Sequence, residues 1–128
     1  MADPFILSLD ESSALYLVGG KAAGLTKVLT AGFPVPKGLC VTTAVYQYGL
    51  GQAGVDAPTI WTKLPGLSVE QRAQELARIQ RLLLEQPWPT GFPADLETRL
   101  TGLAGDSSTR WAVRSSATNE DAADMSAA

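Results

Sequence analysis

Histidine is absent from the 128 residues of this sequence. Without it, the chain cannot by itself form a histidine zinc site, a Ser-His-Asp triad or a histidine acid–base catalyst. Cysteine is nearly absent too, because Cys40 stands alone. A single cysteine excludes an internal disulfide and a cysteine metal cluster. The setting of Cys40 in the run GLCVTT predicts a small, buried hydrophobic side chain.

Charged residues make up only 18% of the chain and leave a net charge of −3. Because nucleic-acid binding depends on neutralising phosphates, a weakly acidic chain is not expected to bind nucleic acid. The longest apolar runs, FILSL and LLL, are too short to span a bilayer. No Lys or Arg precedes Lys21, whereas a secretory leader needs a basic start. We therefore expect a cytoplasmic protein with no membrane segment.

Hydrophobic residues are plentiful, at 45% of the chain, and suffice for a buried core. Apolar and β-branched runs predict short strands over 5–9, 38–43 and 110–114. Helical spacing predicts helices over 22–31, 44–50, 69–85 and 93–103. A capping box of Ser68 and Gln71 marks the start of the third helix, and the glycine- and proline-rich residues 51–67 are expected to be irregular.

Short strands separated by helices predict an α/β or α+β fold. We expect residues 1–128 to form one domain, or one lobe of a larger domain, without an internal linker. The small and polar residues 115–128 are expected to form a loop-like tail.

Two glycine patterns resemble nucleotide-binding loops without meeting their requirements. Residues 49–54 match G-x-G-x-x-G, but that fingerprint follows a strand, whereas this one follows a predicted helix. Residues 49–54 are therefore interpreted as a loop. Gly20 and Lys21 do not belong to a Walker A loop either. Leu15 stands at the first glycine of that pattern and Ala22 at its metal-binding hydroxyl.

The segment Gly19-Gly20-Lys21 precedes the first predicted helix and carries residues suited to an anion. Free backbone amides at a helix N-terminus attract anions, and a lysine adds a point charge for phosphate oxygens. The alternative is an ordinary turn with a solvated lysine.

Arg114 ends the third predicted strand and is followed by the hydroxyls of Ser115 and Ser116. This arrangement suits phosphate or carboxylate binding. The alternative is an arginine paired with a nearby acid, Glu120 or Asp121, and spacing alone favours that pairing.

The residues Glu120, Asp121 and Asp124 form an acidic cluster without the ligand spacing of a calcium loop. Asn119 at the cap of a turn with acidic first positions accounts for the cluster. No metal ligands are predicted in this chain.

Taken in order, two stretches of the chain resemble a known family. Residues 18–46 (VGGKAAGLTKVLTAGFPVPKGLCVTTAVY) resemble the start of the PEP/pyruvate-binding, ATP-grasp-like nucleotide-binding domain of the pyruvate phosphate dikinase and phosphoenolpyruvate synthase family. Residues 111–128 (WAVRSSATNEDAADMSAA) look like its second hallmark, R-S-S-A-T-x-E-D after a strand. Rifampicin phosphotransferases and glucan, water dikinases share this type of domain. Residues 50–105 carry no motif of the family.

The resemblance implies that Lys21 and Arg114 contact ATP. It also implies a set of neighbours at the phosphate loop, namely Gly19, Gly20, Ser115 and Ser116. Further implications are an ATP-grasp-like lobe, a Mg²⁺ cofactor whose ligands lie outside this chain, and phosphoryl transfer through a histidine on a separate domain. Ala127 stands where the family commonly has an aromatic residue, so the loop packing there is expected to differ.

The expected parent protein is an ATP-dependent phosphotransferase, with a downstream ATP-binding lobe and a phosphohistidine domain as partners. Because Ala128 falls within the second hallmark, we expect an incomplete domain that is inactive alone and has a mobile tail over 115–128. Two alternatives stay open. One is a non-catalytic interaction or regulatory module with this fold, and the other is the ATP-binding part of a rifampicin-type antibiotic phosphotransferase.

Overall fold

A computed structural model of the protein describes residues 2–11 and 14–118. The described strands are β1 (Ile6–Ser8) and β2 (Leu39–Val41). The described α-helices are α1 (Leu15–Thr30), α2 (Thr43–Gln52), α3 (Ala57–Lys63), α4 (Val69–Glu85) and α5 (Phe92–Leu103), with one 3-10 turn at Leu64–Gly66. This mixture confirms the predicted class that combines helices with short strands. The chain divides into two compact units, of which Val45–Thr90 is one and the residues before and after it are the other.

The strands β1 and β2 pair antiparallel, with Leu7 opposite Cys40. The pairing continues at one end, where the amide of Thr42 donates to the carbonyl of Phe5 at 2.9 Å. The buried Thr42 hydroxyl accepts from the amide of Ala44 at 3.2 Å and so caps the start of α2. The first two of the three predicted strands are confirmed.

The predicted third strand over 110–114 is wrong. In the part of the chain that the structure describes, the sheet contains only β1 and β2. The side chain of Val113 is 93% exposed, and that of Trp111 is exposed as well. Apolar, β-branched residues favour a strand only where a neighbouring strand pairs with them, and this segment has no such partner in the sheet.

The core of the first unit lies where α1 packs on the sheet. Its buried members are Leu17, Val18 and Ala22, with Leu7, Leu9, Ala23 and Cys40 packed against them. A T-shaped contact between Phe5 and Phe92, with ring centroids 6.2 Å apart, joins the start of α5 to the chain just before β1. Cys40 is half-buried among these side chains, whereas its apolar setting predicts a buried side chain.

The helix α1 is broken at Gly19, whose φ of 78° and ψ of 168° are not helical. The predicted helix after this glycine is confirmed and ends at Thr30, just before Gly32 with a φ of 92°. One further helical turn, which begins at Leu15, precedes the break. The glycine pair therefore interrupts a helix rather than preceding one.

In the second unit, the expectation that 51–67 is irregular is wrong for α3. The carboxylate of Asp56 caps this helix, since it accepts from the Thr59 amide at 3.5 Å and from the Thr59 hydroxyl at 2.8 Å. Pro58 lies in the first turn, where its missing N–H would have no helical partner in any case. The proline and glycines therefore mark the ends of helices.

Glycines of the G-x-G-x-x-G pattern lie at the end of α2 and not at a strand–helix junction. Gly49 and Gly51 belong to the helix, and Gly54 has a φ of 70° in the turn after it. A Cβ on Gly49 would lie 3.1 Å from a methyl carbon of Leu83, so α2 and α4 approach closely there. These positions support the interpretation that no dinucleotide fingerprint is present.

The capping box of α4 is formed as predicted. The Ser68 hydroxyl accepts from the Gln71 amide at 3.1 Å, and the Gln71 side chain accepts from the Ser68 amide at 3.0 Å. Replacing Ser68 by alanine leaves the Gln71 amide without this partner. We expect the free energy of unfolding to fall by about 1 kcal/mol, measured by urea denaturation followed by circular dichroism.

The matched control for the capping variant is Gln74→Ala, an exposed position inside the same helix. It replaces a good helix former by a better one and touches no cap, so no loss of stability is expected. Equal stability of Ser68→Ala and Gln74→Ala would show that the box does not stabilise the helix.

Candidate functional site

The segment Gly19-Gly20-Lys21 and the segment that follows Arg114 meet at the break in α1. The amide of Gly20 donates to the carbonyl of Ala117 at 3.0 Å. The hydroxyl of Ser116 accepts from the amide of Ala22 at 3.1 Å and donates to the carbonyl of Val18 at 2.7 Å. Three hydrogen bonds thus join segments that are more than 90 residues apart in the sequence.

Gly19 makes this close approach sterically feasible. Its φ and ψ lie in a region that is essentially restricted to glycine. A Cβ at this position would lie 2.5 Å from the Ser116 hydroxyl oxygen and 2.6 Å from the Ser116 carbonyl carbon. The absence of a side chain therefore lets the two backbones touch.

Lys21 lies between two residues that the 116–117 segment holds by hydrogen bonds, Gly20 and Ala22. Its side chain is partly exposed at the beginning of the second half of α1. Arg114 is exposed and lies two residues before Ser116 in the sequence. Lys21 thus lies within this contact, and Arg114 lies close to it along the chain.

The neighbours predicted from the sequence divide into two groups. Gly19, Gly20 and Ser116 come together in the contact, and Gly19 is buried there. Ser115 is exposed beside them. The expectation of free amides at this helix N-terminus needs a correction for Gly20 and Ala22, because both donate to the 116–117 segment.

The hydroxyl of Ser116 has only one proton to donate, and that proton goes to the Val18 carbonyl. The hydroxyl of Ser116 therefore has no proton left to donate to a ligand. The side chains of Lys21 and Arg114 remain the positive groups that can attract an anion here.

Sequence reasoning missed the contribution of Ala117, which acts through its backbone carbonyl. No side-chain chemistry marks such a residue in a sequence. It also missed the bridging role of Ser116, because a serine in a polar run has no preference for a particular distant helix.

Within residues 2–11 and 14–118, no group of three His, Cys, Asp or Glu side chains could hold a metal ion. The acidic cluster Glu120, Asp121 and Asp124 lies outside the described residues, as does most of the predicted mobile tail. Burial raises the pKa of the Cys40 thiol and so disfavours the thiolate that a nucleophile needs. No described helix has both the length and the hydrophobicity that crossing a bilayer requires.

Comparison with protein families finds one match, which covers residues 15–128. The matching family is described as the pyruvate phosphate dikinase, AMP/ATP-binding domain. The matched range includes the broken helix α1, both cations and the whole 116–117 segment. No solved structure matches the chain at a significant level.

Several curated proteins are similar to most of this chain. A phosphoenolpyruvate synthase of Aeropyrum pernix is 39% identical over 125 residues, which cover 91% of this chain and 15% of the relative. A probable phosphoenolpyruvate synthase of Staphylothermus marinus is 33% identical with the same two shares covered. A rifampicin phosphotransferase of Bacillus cereus is 33% identical, with 91% of this chain and 14% of the relative covered. The chain thus spans about 15% of the length of these relatives.

Proposed function

The chain belongs to the family of the pyruvate phosphate dikinase AMP/ATP-binding domain, and on this premise we propose that it forms part of the ATP site of an ATP-dependent phosphotransferase. The proposed parent enzyme is of the phosphoenolpyruvate synthase or pyruvate, phosphate dikinase type. It transfers a phosphoryl group from ATP to a histidine on another domain, since this chain has no histidine of its own.

The observation that carries the proposal is the contact at the break in α1. Lys21 belongs to one of the two segments that this contact joins, and Arg114 lies two residues before Ser116 of the other segment, which supports a shared role for the two cations. Lysine supplies a compact charge for phosphate oxygens, and arginine supplies a planar fork that suits two oxygens at once. The contacts of Gly19, Gly20 and Ser116 fix the backbone next to Lys21. Ser115 is exposed between Arg114 and Ser116.

Phosphoryl transfer depends mainly on positioning and on neutralising the charge of the phosphates. In the proposal, Lys21 and Arg114 supply part of both. Magnesium supplies the remaining positive charge when bound with ATP, and the described residues offer no cluster of three acidic ligands for it. As the family resemblance implies, we place the Mg²⁺ ligands on a downstream ATP-binding lobe of the parent enzyme. This chain alone is proposed to be inactive and to bind ATP weakly. The predicted cytoplasmic location, where ATP is supplied, belongs to the same proposal.

The test of the proposed site is a titration of the 128-residue chain with ATP and Mg²⁺, followed through the backbone amide signals of Gly20, Lys21 and Ala22. The variants Lys21→Ala and Arg114→Ala are each expected to raise the Kd about tenfold, as for the loss of a charge-assisted hydrogen bond. Binding by the unchanged chain is expected to weaken as salt is added, because exposed charges are screened.

Two other cations serve as matched controls for charge alone. Lys27 is an exposed lysine further along α1, and Arg110 is an exposed arginine shortly before Arg114. Their alanine variants change the net charge equally and are expected to leave the Kd within about twofold. If all four variants bind ATP alike, the assignment of Lys21 and Arg114 is wrong.

A second acceptor class is supported by the similarity to the rifampicin phosphotransferase of Bacillus cereus. In that case the same ATP site would serve an antibiotic phosphotransferase. Assays of the full-length parent enzyme with pyruvate and with rifampicin as acceptors distinguish the two. A non-catalytic module of the same fold would transfer phosphate to neither.

A further inference from the structure

The hydroxyl of Ser116 replaces one main-chain hydrogen bond of α1 by two hydrogen bonds of its own. In a regular α-helix, each amide donates to the carbonyl four residues before it. Val18 and Ala22 are such a pair, but each is bonded to the Ser116 oxygen instead, at 2.7 Å and 3.1 Å. One inserted hydroxyl thus satisfies both groups that the break at Gly19 separates.

A second pair at the break is also satisfied by residues from elsewhere. Gly20 would donate to the carbonyl of Tyr16 in an unbroken helix. Its amide donates instead to the carbonyl of Ala117 at 3.0 Å. The carbonyl of Tyr16 accepts from the hydroxyl of Thr43 at 2.7 Å. The break therefore depends on partners that approach the helix from other parts of the chain.

We propose that Ser116 is a positioning residue of the ATP site, which inserts its hydroxyl into α1 and thereby maintains the break beside Lys21. This inference rests on the proposed function, because it assumes that Lys21 and Arg114 bind ATP together. The Ser116 hydroxyl does not donate to the nucleotide in this proposal, since its single proton is donated to the Val18 carbonyl.

The physical reason is a competition between two arrangements of α1. Side chains that insert into the hydrogen-bond ladder of a helix are a known cause of kinks. Without the hydroxyl, the Val18 carbonyl and the Ala22 amide lose their partner, and leaving such groups unpaired is unfavourable. The Val18 carbonyl and the Ala22 amide can regain a partner by bonding to each other, because Gly19 can adopt helical angles without a steric penalty. The 116–117 segment would then lose its hydrogen bonds to α1, and with them the link between the segments that carry Lys21 and Arg114.

The experiment compares Ser116→Ala with Ser116→Thr in the 128-residue chain by two independent measurements. The first is the ¹³Cα chemical shifts of Gly19 and Gly20 without nucleotide, which report whether the break persists. The second is the Kd for ATP with Mg²⁺. Ser116→Ala is expected to move both ¹³Cα shifts toward helical values and to raise the Kd about 5–10-fold. Ser116→Thr keeps a hydroxyl and is expected to restore both.

The control is Ser107→Ala, which removes an exposed hydroxyl away from the contact and is expected to change neither measurement. The inference is overturned if Ser116→Ala keeps the ¹³Cα shifts of the unchanged chain. It is equally overturned if those shifts move while the Kd stays the same, because the break would then not position the ATP site.

Failure of the proposed function has a different signature. In that case Lys21→Ala and Arg114→Ala leave the response to ATP unchanged, whereas the ¹³Cα shifts of Gly19 still decide whether Ser116 maintains the break. If Ser116→Ala does not fold, Ser116→Gly replaces it, because it also removes the hydroxyl. Shifts and a Kd identical to those of the unchanged chain in Ser116→Gly would then overturn the inference.

Discussion

Replacing Gly19 by alanine is expected to lower the free energy of unfolding by about 2–6 kcal/mol. Two costs add up at this position. Holding a non-glycine residue in this region of φ and ψ costs about 1–3 kcal/mol. Forcing a methyl group against the Ser116 backbone, where a Cβ would lie 2.6 Å from the carbonyl carbon, adds about 1–3 kcal/mol.

The same helix offers a matched control for this variant. Gly24 lies in the regular part of α1, and a Cβ there would meet nothing within 4 Å. Gly24→Ala is expected to leave stability unchanged or to raise it by up to about 1 kcal/mol, because alanine favours the helix. Both variants are compared by urea denaturation, followed through amide signals of the first unit. A loss below about 1 kcal/mol for Gly19→Ala would contradict the close approach at the break.

Replacing Leu50 by alanine is expected to destabilise the second unit by about 2–4 kcal/mol. Leu50 is only 2% exposed. Truncating such a side chain removes buried methyl groups and leaves a cavity that its surroundings fill only in part. The measurement is urea denaturation followed through amide signals of Val45–Thr90, since the two units need not unfold together.

Leu84→Ala provides the comparison for Leu50→Ala, because it removes the same atoms at a surface position of the same unit. The side chain of Leu84 is 82% exposed. Leu84→Ala is expected to change the free energy of unfolding by less than about 0.5 kcal/mol. Similar losses for the two variants would mean that Leu50 does not belong to the core.

Local signals made much of the helical structure predictable. The capping box at Ser68 identifies the start of α4, and Pro93 identifies the start of α5 within one residue. The helix α3 could have been found from Asp56 followed by Pro58, since an acidic cap and an early proline are start signals. The number of glycines and prolines around it concealed that signal.

Long-range pairing was less predictable. The run over 110–114 has the composition of a strand, but composition does not show whether a partner strand exists. For the candidate site, the order of the two motifs indicated that Lys21 and Arg114 belong together. The insertion of Ser116 into α1 could not be predicted, because it depends on the path of the chain between residues 22 and 116.

The break in α1 also has a consequence for synthesis on the ribosome. Ser116 follows Ala22 by 94 residues, which take about 5–20 s to add at typical rates of translation. During that interval the nascent chain contains Leu15–Thr30 but not the hydroxyl that separates Val18 from Ala22. The hydrogen-bonded interruption at Gly19 is therefore among the last features of the first unit to form.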